Sequence, residues 1–169
     1  MFKIERWLAK TYNTNVDNIK NILKNEKATT YLIVWSTFEQ KIFEGFMKKE
    51  KILNKAEKYS EFYDLLNVDE ITRNFHLRYQ DKKKFKNLSY RENNMVEIEE
   101  ILSKQYNTLS NVEKLQLLFY VSYRYRNNIF HGNKGVLAWD KYTTQINDCI
   151  LFMASLVDNC ESKRVGVKK

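Results

Sequence analysis

Apolar residues recur at intervals of three and four over most of this chain, the spacing of one buried face on an α-helix. The clearest stretch covers about residues 28–49, where Tyr31, Val34, Trp35, Phe38, Ile42 and Phe46 form one stripe. Another covers about 137–160, with Trp139, Tyr142, Ile146, Ile150, Met153 and Val157 on one side. Between them, residues 112–131 predict a third long helix, capped at its start by Leu109-Ser110-Asn111. Shorter helices are expected at 2–12, at 16–25 after the polar caps Asn13-Thr14-Asn15, and at 52–66 with a break. Two more are expected at 69–79 and at 92–106, where Val96, Ile98, Ile101 and Leu102 are the apolar points. Residues 81–91 read as a basic loop, Asn133-Lys134-Gly135 as a turn and 161–169 as a frayed, disordered basic tail.

The sum is an all-α bundle of about four long core helices with short extra helices, in one domain over residues 1–160. Punctuation agrees. The chain has no proline and four glycines, three of which (Gly132, Gly135, Gly166) fall in the last quarter. Long helices therefore meet few breakers. A length of 169 residues with 43% hydrophobic and 14% aromatic content suits one packed core. Cys149 and Cys160 are too few and too far apart for a disulfide framework or zinc site, so buried free thiols in a reducing compartment are expected. No apolar run is long enough to span a bilayer, and the first residues lack the apolar core of a secretory leader. A cytoplasmic location is the expectation.

Charge narrows the partner. Twenty-nine Lys and Arg against 21 Asp and Glu leave a formal charge of +8, which favours polyanions. The excess is concentrated in the basic, aromatic segment 73–91. Arg73, Arg78, Lys82, Lys83, Lys84, Lys86 and Arg91 stand there against Asp81, with Phe75, Tyr79, Phe85 and Tyr90 interleaved. Cations beside rings are the make-up of a single-strand nucleic-acid platform. The same aromatics could equally anchor a loop whose lysines are merely solvated.

The chemistry-bearing stretch is Arg126-Asn127-Asn128-Ile129-Phe130-His131-Gly132, at the end of the third long helix. Arg126 and His131 are five apart, roughly 140° around an ideal helix, whereas Asn127 and His131 share a face. Gly132 allows the chain to leave the helix in a left-handed turn and His131 to swing. A guanidinium to neutralise phosphoryl oxygens and an imidazole to move a proton near neutral pH are what metal-free phosphodiester cleavage needs. Asn127 would orient the histidine or the phosphate. The helix C-terminus raises the basicity of His131 and Arg126 lowers it. The alternative role for both is to bond the free carbonyls of the helix end.

This motif resembles the R-x(4)-H signature of the HEPN superfamily, the four-helix domains of prokaryotic toxins and defence ribonucleases. The layout is similar too, with the motif ending the third core helix and a fourth helix after a short loop. The resemblance implies a metal-independent endoribonuclease without cofactors, in a toxin–antitoxin or phage-defence role. It implies cytoplasmic single-stranded RNA or a tRNA loop as substrate, and a homodimer that brings two motifs to one cleft. An antitoxin or defence-system protein is a further expected partner. Arg126, Asn127 and His131 would be catalytic and Asn128 supporting. Glu39, in the weaker likeness Trp35-Ser36-Thr37-Phe38-Glu39, would pair with Arg126 or hold His131, unless it is a plain surface carboxylate. Arg124, Lys134, Arg78, Lys82, Lys83 and Lys84 are the expected RNA contacts. One branch of the superfamily has a tyrosine two places after the histidine, which an antitoxin modifies; Asn133 stands there in this chain. A non-catalytic RNA- or protein-binding module of the same kind is the alternative. His76, the other histidine, has Ile71 five places upstream and lacks the arginine.

Overall fold

A computed structural model describes residues 3–90, 92, 95–130 and 140–166 of the chain. The described residues form nine α-helices and no strand. They are α1 (Ile4–Thr11), α2 (Val16–Leu23), α3 (Glu26–Ile42), α4 (Ile52–Tyr59), α5 (Asp69–Gln80), α6 (Lys82–Ser89), α7 (Val96–Ser103), α8 (Asn111–Phe130) and α9 (Thr143–Gly166). Single 3₁₀ turns occur at Ser60–Leu65 and Tyr106–Thr108.

Helix α8 is the axis of the molecule. Its start is a capping box: Glu113 N–H donates to the Ser110 hydroxyl, and the Glu113 carboxylate accepts from Ser110 N–H at 2.8 Å. From Leu115 to Tyr125 nearly every side chain is buried, so the helix is covered on all sides. α3 and α9 cover one flank; α4, α5, α6 and α7 cover the rest. The heart of the core is a cluster of Phe38, Phe43, Phe119 and Phe152, with ring centroids 5.4 to 6.0 Å apart. Each such phenylalanine contributes about 1.5–3 kcal/mol by leaving water. α3 and α9 run parallel, tied by Lys41 Nζ to Glu161 at 2.6 Å. α8 runs against both. Cys149 lies in this interior, where burial pushes its thiol up to about 12, and it is a packing residue; Cys160 is half-buried.

Several elements depart from the sequence expectation. α3 begins earlier, at an Asn25 cap that accepts from Lys27 N–H. It ends at Ile42, because Glu44 and Gly45 take positive φ values of 55° and 133°. Phe46, expected on the buried stripe, is consequently 76% exposed, and Met47 is buried in its place. The expected basic loop is helix α6: the Asp81 carboxylate accepts from Lys83 and Lys84 N–H at 2.9 and 3.0 Å, which nucleates it. α7 is shorter than expected and is followed by a 3₁₀ turn at Tyr106–Thr108. α9 continues to Gly166 through the first part of the expected tail, since no breaker interrupts it before that glycine. No helix among the described residues is long and apolar enough to cross a membrane.

Candidate functional site

The last two turns of α8 carry two arginines and two asparagines, with the arginines on opposite faces. Arg124 and Asn128, four residues apart, face α6. Arg126 and Asn127 lie around the helix from them, and Arg126 faces α3.

The α6 side is an anchor. Arg124 is 6% exposed. Its Nε donates to the Leu88 carbonyl at 3.1 Å, and its Nη2 donates to the Ser89 and Tyr90 carbonyls at 3.1 and 3.0 Å. Its Nη1 pairs with Glu92. Asn128 is fully buried and donates from Nδ2 to the same Leu88 carbonyl at 3.0 Å. These acceptors are the orphan carbonyls at the C-terminal end of α6, where the helix dipole places partial negative charge. The guanidinium therefore caps α6 from another helix. Arg124, expected as an RNA contact, and Asn128, expected to support the three catalytic residues, both hold the end of α8 against α6.

The α3 side is different. Arg126 is half-buried, with its guanidinium carbon 5.9 Å from the Trp35 ring centroid and its Nη1 donating to Asn127 Oδ1 at 3.2 Å. Tyr31, fully buried beneath it, donates to the Ser122 carbonyl at 3.0 Å, and burial holds its hydroxyl well above the usual phenol range. Arg126 thus rests on an aromatic floor from α3. His131 and Lys134 lie outside the described residues, as do Arg91 and the turn at 133–135.

The remaining candidates are dispersed. The Glu39 carboxylate accepts from Met47 N–H at 2.9 Å, closing the segment that follows α3. Arg78 is half-buried beside the Tyr79 ring, and Tyr79 donates its hydroxyl to that of Tyr125 at 3.0 Å. That bond joins α5 to the motif helix. Lys82, Lys83 and Lys84 are exposed on α6, where Lys84 pairs with Asp81 at 3.7 Å. Of the interleaved aromatics, Phe75, Tyr79 and Phe85 are buried and Tyr90 is 40% exposed, so three of the four serve as anchors. His76 is buried, with Nε2 3.2 Å from the Ile101 carbonyl, and its ring meets the Tyr106 ring edge-on.

One polar network escaped sequence reasoning. Tyr106 donates to Asp69 Oδ1 at 2.6 Å, Lys114 Nζ donates to the same oxygen at 3.0 Å, and Tyr63 donates to Thr72 Oγ1 at 2.9 Å. Lys114 lies 5.1 and 4.9 Å from the Tyr63 and Tyr106 ring centroids. The hydrogen bond from Tyr106 above all, with Lys114, holds the Asp69 carboxyl below the usual range, while burial pushes Tyr63 up to about 12. Asp69 was readable only as a helix-start residue, because its partners lie 37 and 45 residues further on. Among the described residues, no three His, Cys, Asp or Glu side chains converge as metal ligands.

Compared with protein-family models, curated proteins and solved structures, the chain matches none. The likeness to HEPN domains therefore rests on the motif residues and the order of the helices.

Proposed function

We propose that this chain is a metal-independent endoribonuclease of HEPN type that acts on single-stranded RNA as a homodimer. The observation that carries the reading is the division at the end of α8. Arg124 and Asn128 are locked into the fold, whereas Arg126, which begins the R-x(4)-H motif, is half-buried above Trp35 and bonds the half-buried Asn127. A positioned cation at a rigid helix end is what a developing phosphorane charge requires.

In this mechanism the ribose 2′-oxygen attacks the adjacent phosphorus and the bond to the 5′-oxygen breaks. His131 takes the 2′-OH proton, and the second His131 of the dimer returns one to the leaving 5′-oxygen. Arg126 neutralises the phosphoryl oxygens through its planar fork, and Asn127 orients the phosphate or the imidazole. The products are a 2′,3′-cyclic phosphate and a 5′-hydroxyl. The imidazole supplies proton transfer and the guanidinium supplies charge, so no step calls for a metal ion. A toxin or phage-defence role follows from the same resemblance.

One observation favours the non-catalytic alternative: Arg126 already donates to Asn127, so a ligand must displace that bond. Incubating a single-stranded RNA with the chain in EDTA and analysing the new ends separates the two. The nuclease reading predicts cyclic-phosphate ends and a loss of roughly 10²–10⁴-fold in rate in His131→Ala. RNA binding without cleavage, unchanged by that substitution, supports the binding module instead.

A further inference from the structure

The first two helices stand apart from the core. α1 and α2 have eight residues each, fewer than an isolated helix needs to hold in water. The turn at 12–15 folds α2 back against α1, and Ala9 and Ile19 are the buried side chains of the two helices. Neither belongs to the core cluster of the bundle. Large apolar side chains of the same region stay in solvent: Ile4, Trp7, Leu23 and Ile33 are each more than 50% exposed. Ile4 and Trp7 share a face of α1, and Leu23 and Ile33 line one depression of about 370 Å³ between α2 and α3. Exposed cations border these residues. Lys3 and Lys10 lie four places before and three after Trp7, with Arg6 beside them. Lys20 lies one turn before Leu23, and Lys24 and Lys27 follow it. The acids of residues 3–27 are set otherwise. Glu5 is half-buried one turn from Ala9, Asp17 pairs with Lys20 at 3.3 Å, and Glu26 opens α3, where the helix dipole favours a carboxylate.

We propose that this hairpin, with the adjoining start of α3, docks on a lipid bilayer that carries anionic headgroups. An indole and aliphatic side chains bordered by Lys and Arg are the make-up of a helix that lies in the membrane interface. The apolar groups enter the acyl boundary, and the cations meet the headgroups. The long Lys and Arg stems reach that level from beside the apolar stripe. The bilayer thus supplies the apolar cover that the hairpin lacks in the fold. A second copy of the chain fits less well, because a two-fold contact would set the cations of each copy against those of the other. A protein partner fits less well too, since the centres of protein interfaces are poor in lysine. RNA would engage the cations but has no use for Ile4, Leu23 and Ile33. The inference does not rest on the nuclease reading and stands or falls separately.

Co-sedimentation of the full chain with vesicles of phosphatidylcholine, alone or with about one-third phosphatidylserine, tests it. The expected result is binding at least about tenfold stronger to the serine-lipid vesicles, weakened by added salt. Trp7→Ser combined with Leu23→Ser should weaken that binding by at least about tenfold. Arg6→Glu combined with Lys10→Glu should do the same. The control pair Lys83→Glu and Lys84→Glu, with the same charge change on α6, should leave it within about twofold. Serine-lipid vesicles with brominated acyl chains should quench the tryptophan fluorescence of the parent, and less so that of Trp7→Phe. The proposal is overturned by no binding to the serine-lipid vesicles, or by equal losses in the two charge-reversed pairs. It is overturned equally by undiminished binding of the Trp7 and Leu23 variant, or by a chain that takes a single-stranded RNA hexamer at Arg6 and Lys10 and ignores the vesicles.

Discussion

The two faces of the end of α8 use the same residue types for opposite purposes. On the α6 face an arginine and an asparagine are buried, and their donors are consumed by three backbone carbonyls and Glu92. On the α3 face an arginine lies over an indole and bonds a neighbouring asparagine, and both are half-buried. Sequence spacing explains the division of the arginines: positions 124 and 128 fall about 40° apart on a helix, while 126 lies about 200° from 124; Asn127, about 60° from 124, joins Arg126 through its side chain. The lesson is that residue type in a polar run does not assign a role. A guanidinium facing another helix's C-terminal carbonyls caps that helix, and one stacked on an indole does not.

The largest expected effect on this contrast is in stability. Arg124→Ala leaves three carbonyls without their cation and Glu92 with the longer pairing to Lys49, in a buried setting, and should cost about 3–5 kcal/mol in urea unfolding. Arg126→Ala removes a half-buried guanidinium with its cation–π contact to Trp35 and its hydrogen bond to Asn127, and should cost no more than about 1 kcal/mol. Equal costs would erase the distinction. The asparagines should repeat the pattern at smaller scale. Asn128→Ala removes a buried donor to Leu88 and should cost about 1–3 kcal/mol, against about 0.5 kcal/mol or less for Asn127→Ala. A costly Asn127→Ala would mean that the α3 face is also part of the scaffold.

The smallest effect is a control far from the helix end. The Asp69 carboxyl is held below the usual range, first by the hydrogen bond from Tyr106 and then by Lys114. A group of this kind contributes stability that is fully present above the ordinary carboxylate pKa. That stability is lost as pH falls through the depressed native one. Unfolding free energy should therefore decline below about pH 4, and less steeply in Asp69→Asn. The Asp69 side chain is 53% exposed, so the slope change should be modest. Identical pH profiles for the two proteins would remove Asp69 from this network.

Long-range consequences were the least readable part of the chain. The stripes of α3 and α9 were visible because burial on one face leaves a local period, and Trp35, Phe38, Ile146 and Met153 are all in the core. The Ser110–Glu113 cap of α8 was visible for the same local reason. α6 was obscured by its four lysines, and the deciding residue, Asp81, sits just before it as an N-cap. The early stop of α3 had a signal in Gly45, but the apolar period ran past it to Phe46. Of the candidate site, Arg126 and Asn127 were named from the motif alone. The anchoring role of Arg124 had no local signal, because its carbonyl partners lie 34 to 36 residues away in sequence. The charged residues of 73–91 were recognisable as a basic cluster, yet the burial of Phe75, Tyr79 and Phe85 depends on packing against elements far along the chain.

The most direct test of the central claim is RNA cleavage in EDTA by Arg126→Ala, measured beside its unfolding free energy. The account predicts a fold stable to within about 1 kcal/mol of the parent and a cleavage rate lower by roughly 10²–10³-fold, as for removal of a charge-stabilising donor. A variant that cleaves RNA at the parent rate, with its stability equally intact, would contradict it.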